Sequence, residues 1–208
     1  VYLRPIAMKE KILERAVQDF LSYGFKNVTM DDLAQKLGIS KKTIYEYFDN
    51  KNQLVFEASH AIFDTVMADI TNIYKQEANP IQGLFEIKKI ALKFLIDDQQ
   101  SPQYQLQKYY PKIYSELKEK ELTVLGSQFK KSLEKGIKTG LFRSEIDTDF
   151  VTRLYFNGIR GIRDISLFPV KKYKIEKLLI QYFEYHFRAI ATPKGLELFQ
   201  SYNAKETV

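Results

Sequence analysis

The chain has 208 residues, 45% of them hydrophobic and 28% charged, with a formal net charge of +6 and no cysteine. That supplies apolar material for a packed core of one or two domains and excludes a disordered chain, a disulfide scaffold and thiolate chemistry. No apolar run reaches the length of a membrane span and the first residues lack the apolar core of a secretory signal, so a cytoplasmic protein with no membrane partner is expected.

The first element is an amphipathic helix in which Ile12, Leu13, Ala16, Val17, Phe20 and Leu21 recur in adjacent pairs every four residues, ending at Tyr23-Gly24-Phe25. Thr29 to Lys51 then reads as two short helices joined by a tight turn. Thr29 with Asp32 three residues on is a variant of the capping box, able to satisfy backbone N–H groups at a helix start. Leu33, Ala34 and Leu37 form the apolar side, and Gly38 follows them where a left-handed backbone ends the helix. Ile39 belongs at the buried corner. Ser40 can cap the second helix, Lys41 to Phe48, whose buried side is Ile44 and Phe48. Lys41, Lys42, Thr43, Tyr45 and Tyr47 remain around the outside. These are groove-binding chemistries: lysine reaches phosphates or guanine edges, threonine a thymine methyl, and tyrosine a phosphate oxygen. Glu46 lies among them, placed either to accept from a cytosine amino group or to point away.

From Asn50, a further candidate cap, Leu54, Val55, Ala58, Ile62, Phe63, Val66 and Ile70 keep helical spacing to Asn79-Pro80. Such a helix is about 40 Å long at 1.5 Å per residue. Asn79-Pro80, Ser101-Pro102 and Thr192-Pro193 each place a capping residue before a proline suited to the first helical position. Further helices are predicted at 81–98, 103–109, 112–138, 148–167, 171–190 and 194–202. No strand pattern competes, so the fold class is all-α. Phe150, Val151, Leu154, Tyr155, Ile159 and Ile162 give the helix at 148–167 a broad apolar face. Ile175, Leu178, Leu179, Tyr182, Phe183, Phe187 and Ile190 do the same for 171–190. Helices this apolar need partners, and Gly158 and Gly161 allow close backbone approach.

Thr29, Leu33, Ala34, Leu37, Gly38, Ile39, Ser40, Lys41, Thr43, Ile44, Tyr45, Tyr47, Phe48, Asn50, Lys51 and Leu54 reproduce a long motif at the spacing of the tetracycline-repressor-like (TetR) transcriptional regulators, which this chain resembles over its first quarter. Beyond it the likeness lies in length, helical content and a loose G-x-x-x-G-x-F-R pattern at Gly136, Gly140, Phe142 and Arg143. The resemblance implies a three-helix DNA-binding domain at 1–51 and a helical effector-binding and dimerisation body at 52–208. It places Thr29, Ser40, Tyr47 and Lys51 where family members hold the phosphate backbone of double-stranded DNA. Lys41, Lys42, Thr43 and Tyr45 are then the candidates for base or near-base contacts. It also implies a homodimer through the two C-terminal apolar helices, with Leu154, Ile162, Leu179, Phe183 and Phe187 as interface residues, and a palindromic operator. A small hydrophobic effector is implied in the body, with Phe63, Tyr104, Tyr109, Tyr110, Tyr114, Tyr155 and Arg160 as candidate contacts. Arg160 and Arg163 can face an anionic ligand or pair with acids such as Asp164.

Charge alone does not point to DNA. Residues 1–60 hold nine Lys or Arg against eight Asp or Glu, whereas the rest hold 23 against 18. Local placement of Lys36, Lys41, Lys42 and Lys51 carries the argument instead. Catalysis has no support: His60 and His186 are far apart, and no metal-ligand spacing, phosphate-binding glycine loop or nucleophile motif occurs, so neither enzyme, metal nor cofactor is expected. The expected function is a transcriptional regulator, acting as a repressor released by its effector. The alternatives are a DNA-binding regulator controlled by a protein partner, and a helical interaction protein without DNA binding.

Overall fold

The computed structural model describes residues 5–95, 102–164, 166–169 and 171–206; within them it holds ten α-helices and no strand, so the protein is all-α. Packing divides the chain into two compact units, Val1–Val66 with Gln99–Glu119, and Met67–Asp98 with Lys120–Val208. These units fall differently from a division after Lys51 made on the motif. Two helices, α4 (Lys51–Gln76) and α7 (Pro111–Lys138), contribute residues to both.

The first unit contains α1 (Pro5–Tyr23), α2 (Met30–Leu37), α3 (Lys41–Tyr45), the start of α4, α6 (Pro102–Tyr109) and the start of α7. Ile12, Ala16 and Phe20 of α1 meet Ile44, Phe48 and Leu54 in its core, all fully buried. Burying one such large side chain stabilises by roughly 1.5–3 kcal/mol. Leu13 and Val17, the second members of the α1 pairs, are half-buried against this core, whereas Leu21 is exposed. The chain leaves α1 through Gly24, whose φ of 83° favours glycine. The Gln105 side chain of α6 occupies the place a Gly24 Cβ would take, and its Oε1 accepts from the Lys26 N–H at 3.0 Å.

The second unit packs α5 (Pro80–Leu95), α8 (Thr148–Gly161), α9 (Ile175–Ile190) and α10 (Pro193–Glu206) with the remainders of α4 and α7. Its core is aromatic: Phe85, Phe129, Phe183, Phe187 and Phe199 are buried, with Phe187 stacked on Phe199 at 4.3 Å. The proline-led starts hold at α5 and α10, where Asn79 Oδ1 accepts from Gln82 N and Thr192 Oγ1 from Gly195 N. Ser101 lies outside the described residues, as does the expected end of α5 near residue 98.

The glycine pattern after α7 has a packing reason. Gly140 adopts φ 71° and turns the chain, and the Phe142 ring lies where a Gly136 Cβ would be. The returning strand-like segment bonds the end of α9, Arg143 N to Ile190 O at 2.9 Å and Thr192 N to Leu141 O at 3.0 Å. Two predicted boundaries are corrected. Helix α8 stops at Gly161 rather than 167, because Asp164 accepts from Ser166 and organises a turn; α9 begins at Ile175 rather than 171, after a turn anchored on the Pro169 carbonyl.

The two histidines are packed and far apart in sequence. His60 lies on the Phe56 ring at 4.1 Å. His186 is buried beside Tyr155, with no hydrogen-bond partner on Nε2 and a pKa lowered by burial to about 4.

Gly136→Ala is expected to cost about 1–3 kcal/mol, because the Phe142 ring must move. The urea midpoint should fall at unchanged slope. Gly126→Ala, whose Cβ meets its nearest neighbour at 3.5 Å, should leave it level or higher. For His186 the unfolded imidazole titrates near 6.5 and the folded one near 4, so the folded state binds fewer protons between these values. Stability gained from this group above pH 6.5 is therefore lost as pH falls towards 4. In urea titrations across that window, His186→Leu should lose stability less steeply than the parent.

Candidate nucleic-acid interface

Three helix starts are fixed by their caps. Thr29 Oγ1 accepts from Asp32 N at 3.1 Å, while Asp32 Oδ2 accepts from Thr29 N at 2.8 Å, closing the box predicted from the sequence. The Thr29 hydroxyl donates to the same carboxylate, and these bonds hold the Asp32 pKa below its usual value. Gly38 takes φ 65° at the end of α2 and its N–H closes back on Gln35 O. Two residues later Ser40 Oγ accepts from Thr43 N at 3.0 Å and starts α3. Ile39 is half-buried against the head core at the corner. Asn50 Oδ1 accepts from Gln53 N at the start of α4. This is a helix-turn-helix, with three capped helix starts following one another along the chain.

The second helix is shorter than predicted. Regular α structure runs from Lys41 to Tyr45; Tyr47 N then bonds Ile44 O, an i to i+3 turn that brings Phe48 under the helix. Lys41, Lys42 and Tyr45 are exposed, with Thr43 and Tyr47 half-buried. Lys41 Nζ is 2.7 Å from Asp31, a pairing that raises the lysine pKa. Lys36 pairs with the buried Asp19 at 3.0 Å and lies over the Tyr23 ring. Lys51 donates to the Lys26 carbonyl at 3.0 Å, and partial burial lowers its pKa. Asp19, Asp31 and the Lys26 carbonyl were not legible as parts of this surface, since no local spacing links them to their lysines. Glu46 is exposed after α3.

The residues expected to contact an effector do not come together. Phe63, Tyr110 and Tyr114 pack on the core of the first unit, and Tyr109 is exposed between Lys26 and Lys108. Tyr104 accepts from Lys108. A cavity of about 90 Å³ lies instead in the second unit, and of the expected residues only Tyr155 lines it. Arg160 pairs with Glu121 at 3.9 Å rather than with Asp164; Arg163 is the arginine in the cavity wall. Tyr74, Lys88 and Tyr182 also line it and went unrecognised, because helical spacing marks an apolar face without saying which helix covers it.

Most of the expected dimer contacts are covered within the chain. Ile162, Leu179, Phe183 and Phe187 are buried within the chain itself, leaving Leu154 exposed at 47%. Gly158 does permit close approach, but to the Tyr182 ring of α9, whose hydroxyl donates to Leu154 O and Tyr155 O; Gly161 has no such neighbour. The exposed large apolar side chains of these two helices are Phe150 and Leu154, four apart on α8, and Ile180 and Tyr185 on α9, at 61%, 47%, 41% and 73% exposure.

A capped helix-turn-helix on an all-α chain defines a DNA-binding regulator. The family model described as "Bacterial regulatory proteins, tetR family" matches residues 12–58. The HTH-type transcriptional repressor KstR2 of Mycolicibacterium smegmatis is 23% identical over 176 residues, 82% of this chain and 82% of that protein. Two solved structures share the fold: a putative transcriptional regulator from Saccharomonospora viridis in complex with choline (TM-score 0.70, 18% identity, 89% of this chain and 98% of that one), and FadR from Bacillus subtilis in complex with stearoyl-CoA (TM-score 0.61, 18% identity, 86% and 97%). Residues 12–58 thus carry the DNA-binding domain of the tetR family, and the relatives and structural neighbours that the rest of the chain resembles are transcriptional regulators rather than enzymes. Among the described residues no helix is long and apolar enough to cross a membrane.

Lys51→Ala is expected to weaken binding to specific and random duplex alike and to lower the salt slope by about one. Lys42→Ala or Tyr45→Phe should instead alter preference at individual bases, by about 1–3 kcal/mol at a contacted position. Salt titrations on both kinds of duplex check this division, and equal effects of the two classes would contradict it.

Proposed function

We propose that the protein is a homodimeric repressor that holds a palindromic operator and releases it when a small effector enters the body. Residues 1–51 read the DNA, with Lys41, Lys42, Thr43 and Tyr45 at or near base edges and Thr29, Ser40, Tyr47 and Lys51 on phosphates. Residues 52–208 bind the effector and the second subunit, in the cytoplasm. Repression agrees with the KstR2 relative, a transcriptional repressor, and effector binding with the choline and stearoyl-CoA complexes of the structural neighbours.

The observation that carries the reading is the exposure of Phe150 and Leu154 on α8 and of Ile180 and Tyr185 on α9. Large apolar side chains exposed together on adjoining helices favour a partner surface. A second copy placed there about a two-fold axis supplies the second reading head. Two such heads match half-sites about 34 Å apart, one helical turn of DNA. Linking two weak half-site contacts raises affinity by roughly 10²–10⁴ without any new contact to the bases.

The test is retention of genomic fragments on the purified protein at moderate salt, with the solution mass measured alongside. A retained palindrome and a dimer mass support the reading; retention without sequence preference, or a monomer on its best site, contradicts it. Leu154→Glu combined with Tyr185→Lys should give a folded monomer whose affinity for that palindrome drops by roughly a hundredfold.

A further inference from the structure

Helix α6 brings a lysine and a tyrosine to the edge of the helix-turn-helix. We propose that Lys26, Lys108 and Tyr109 hold the phosphodiester backbone of the duplex flanking each half-site, so that the contact with DNA runs on from the helix-turn-helix to α6. The inference rests on the reading in which α3 enters the groove and Thr29 and Lys51 lie on phosphates.

Buried side chains fix the end of α6 on the turn that follows α1. Leu106 is buried in the core of the first unit, and the Tyr110 ring meets the Phe25 ring edge-on at 6.4 Å. Gln105 is buried against Gly24, and its Oε1 accepts from the Lys26 N–H. Gly24, Phe25 and Lys26 are thus each engaged by α6. Lys26, Lys108 and Tyr109 are left exposed.

The three exposed residues form one cluster. The Lys26 ammonium stands 4.9 Å from the centre of the Tyr109 ring and the Lys108 ammonium 5.3 Å from it. An aromatic face attracts an ammonium through its quadrupole but carries no net charge, so the ring holds the two cations without neutralising them. Among the described residues no ion pair engages Lys26 or Lys108. Residues 20–30 and 102–115 contain Lys26, Lys108 and Lys112 and no Asp or Glu. The field shows in the phenol itself. Lost hydration raises the Tyr109 pKa, yet hydrogen bonding and charge from Lys108 and Lys26 outweigh it and hold the group below its ordinary value. Hydrogen bonds to Tyr104 and Tyr109 raise the Lys108 pKa, so that lysine keeps its charge.

A phosphodiester fits this cluster, because ammonium N–H and phenol O–H groups bind its charged oxygens through charge-assisted hydrogen bonds. The position of the cluster selects DNA as the source. Lys51 Nζ donates to the Lys26 carbonyl, and Thr29 follows Lys26 by three residues, so the cluster adjoins both residues read as phosphate contacts. Asp32, whose charge Lys51 feels, is already bound to Thr29. Duplex DNA continues past each half-site, and each further phosphate held adds affinity without regard to sequence.

The experiment uses the full chain and the retained palindrome, once trimmed to its ends and once with about one helical turn of arbitrary duplex on each side. The parent should bind the flanked duplex roughly tenfold tighter than the trimmed one. Lys26→Gln combined with Lys108→Gln should erase most of that difference and lower the salt slope on the flanked duplex by about one for each subunit bound. Base preference within the palindrome should stay as in the parent. Lys171→Gln with Lys172→Gln, both exposed in the second unit, removes the same charge and should keep the difference. A parent that holds both duplexes equally overturns the proposal without any variant. A flank effect that survives Lys26→Gln with Lys108→Gln overturns it as well, since another surface then holds the flank. The reading beneath it is scored separately through Lys42→Ala. Altered base preference in that variant, with no flank effect, removes this proposal alone, and no change in either removes both.

Discussion

A helix of five residues has no independent stability, because nucleation costs more than so few hydrogen bonds return. Helix α3 therefore exists only as far as Ile44 and Phe48 are buried against Ile12, Ala16 and Phe20. The same burial fixes which residues are turned outwards: with Ile44 inward, Lys41, Lys42 and Tyr45 stand in water. Gly38 sets the angle between α2 and α3, and the Thr29 and Ser40 side chains define where each begins. The reading surface is thus a by-product of a core, and its geometry is as rigid as that core.

The chemistry of that surface is one of exchange. Lys36, Lys41 and Lys51 already have partners in Asp19, Asp31 and the Lys26 carbonyl, and the hydroxyls of Thr29 and Ser40 serve as caps. In the proposed reading, docking on phosphate would replace these contacts or share them, so each lysine would contribute less than an unpaired one. The exposed Lys41–Asp31 pair is weak and would give way to a phosphate at small cost, whereas Lys36 is held by the buried Asp19. Asp32, held ionised by Thr29, puts negative charge at the start of α2, which works against phosphate there. The near balance of charge over the first 60 residues fits a protein whose grip depends on where its few cations stand rather than on their number.

The local grammar was legible. Thr29 with Asp32, Gly38, Ser40, Asn50, Asn79 and Thr192 each mark a helix end by side-chain chemistry that acts within four residues, and the structure places each at such an end. What distance hides was not. Periodicity showed that Tyr104 to Tyr114 and the helices of residues 148–190 were apolar, but not what covers them. Helix α6 and the start of α7 pack with the head, which takes the tyrosine cluster away from the body cavity. Phe183 and Phe187 turned inward to α5 and α10, and of the residues left outside Phe150 was read as an ordinary member of its face while Tyr185 belonged to neither. The reach of α8 was overestimated because Asp164 and Ser166 form a side-chain turn that an apolar pattern cannot reveal.

A hydroxyl-radical footprint on the best retained genomic fragment tests the central claim most directly. The account predicts two equivalent protected patches on one face of the duplex, related by two-fold symmetry and centred about one helical turn apart. It also predicts that the footprint disappears in a folded Lys41→Glu, Lys42→Glu variant. A single unsymmetrical patch, or protection that survives those substitutions, would mean that DNA is held by a surface other than α3.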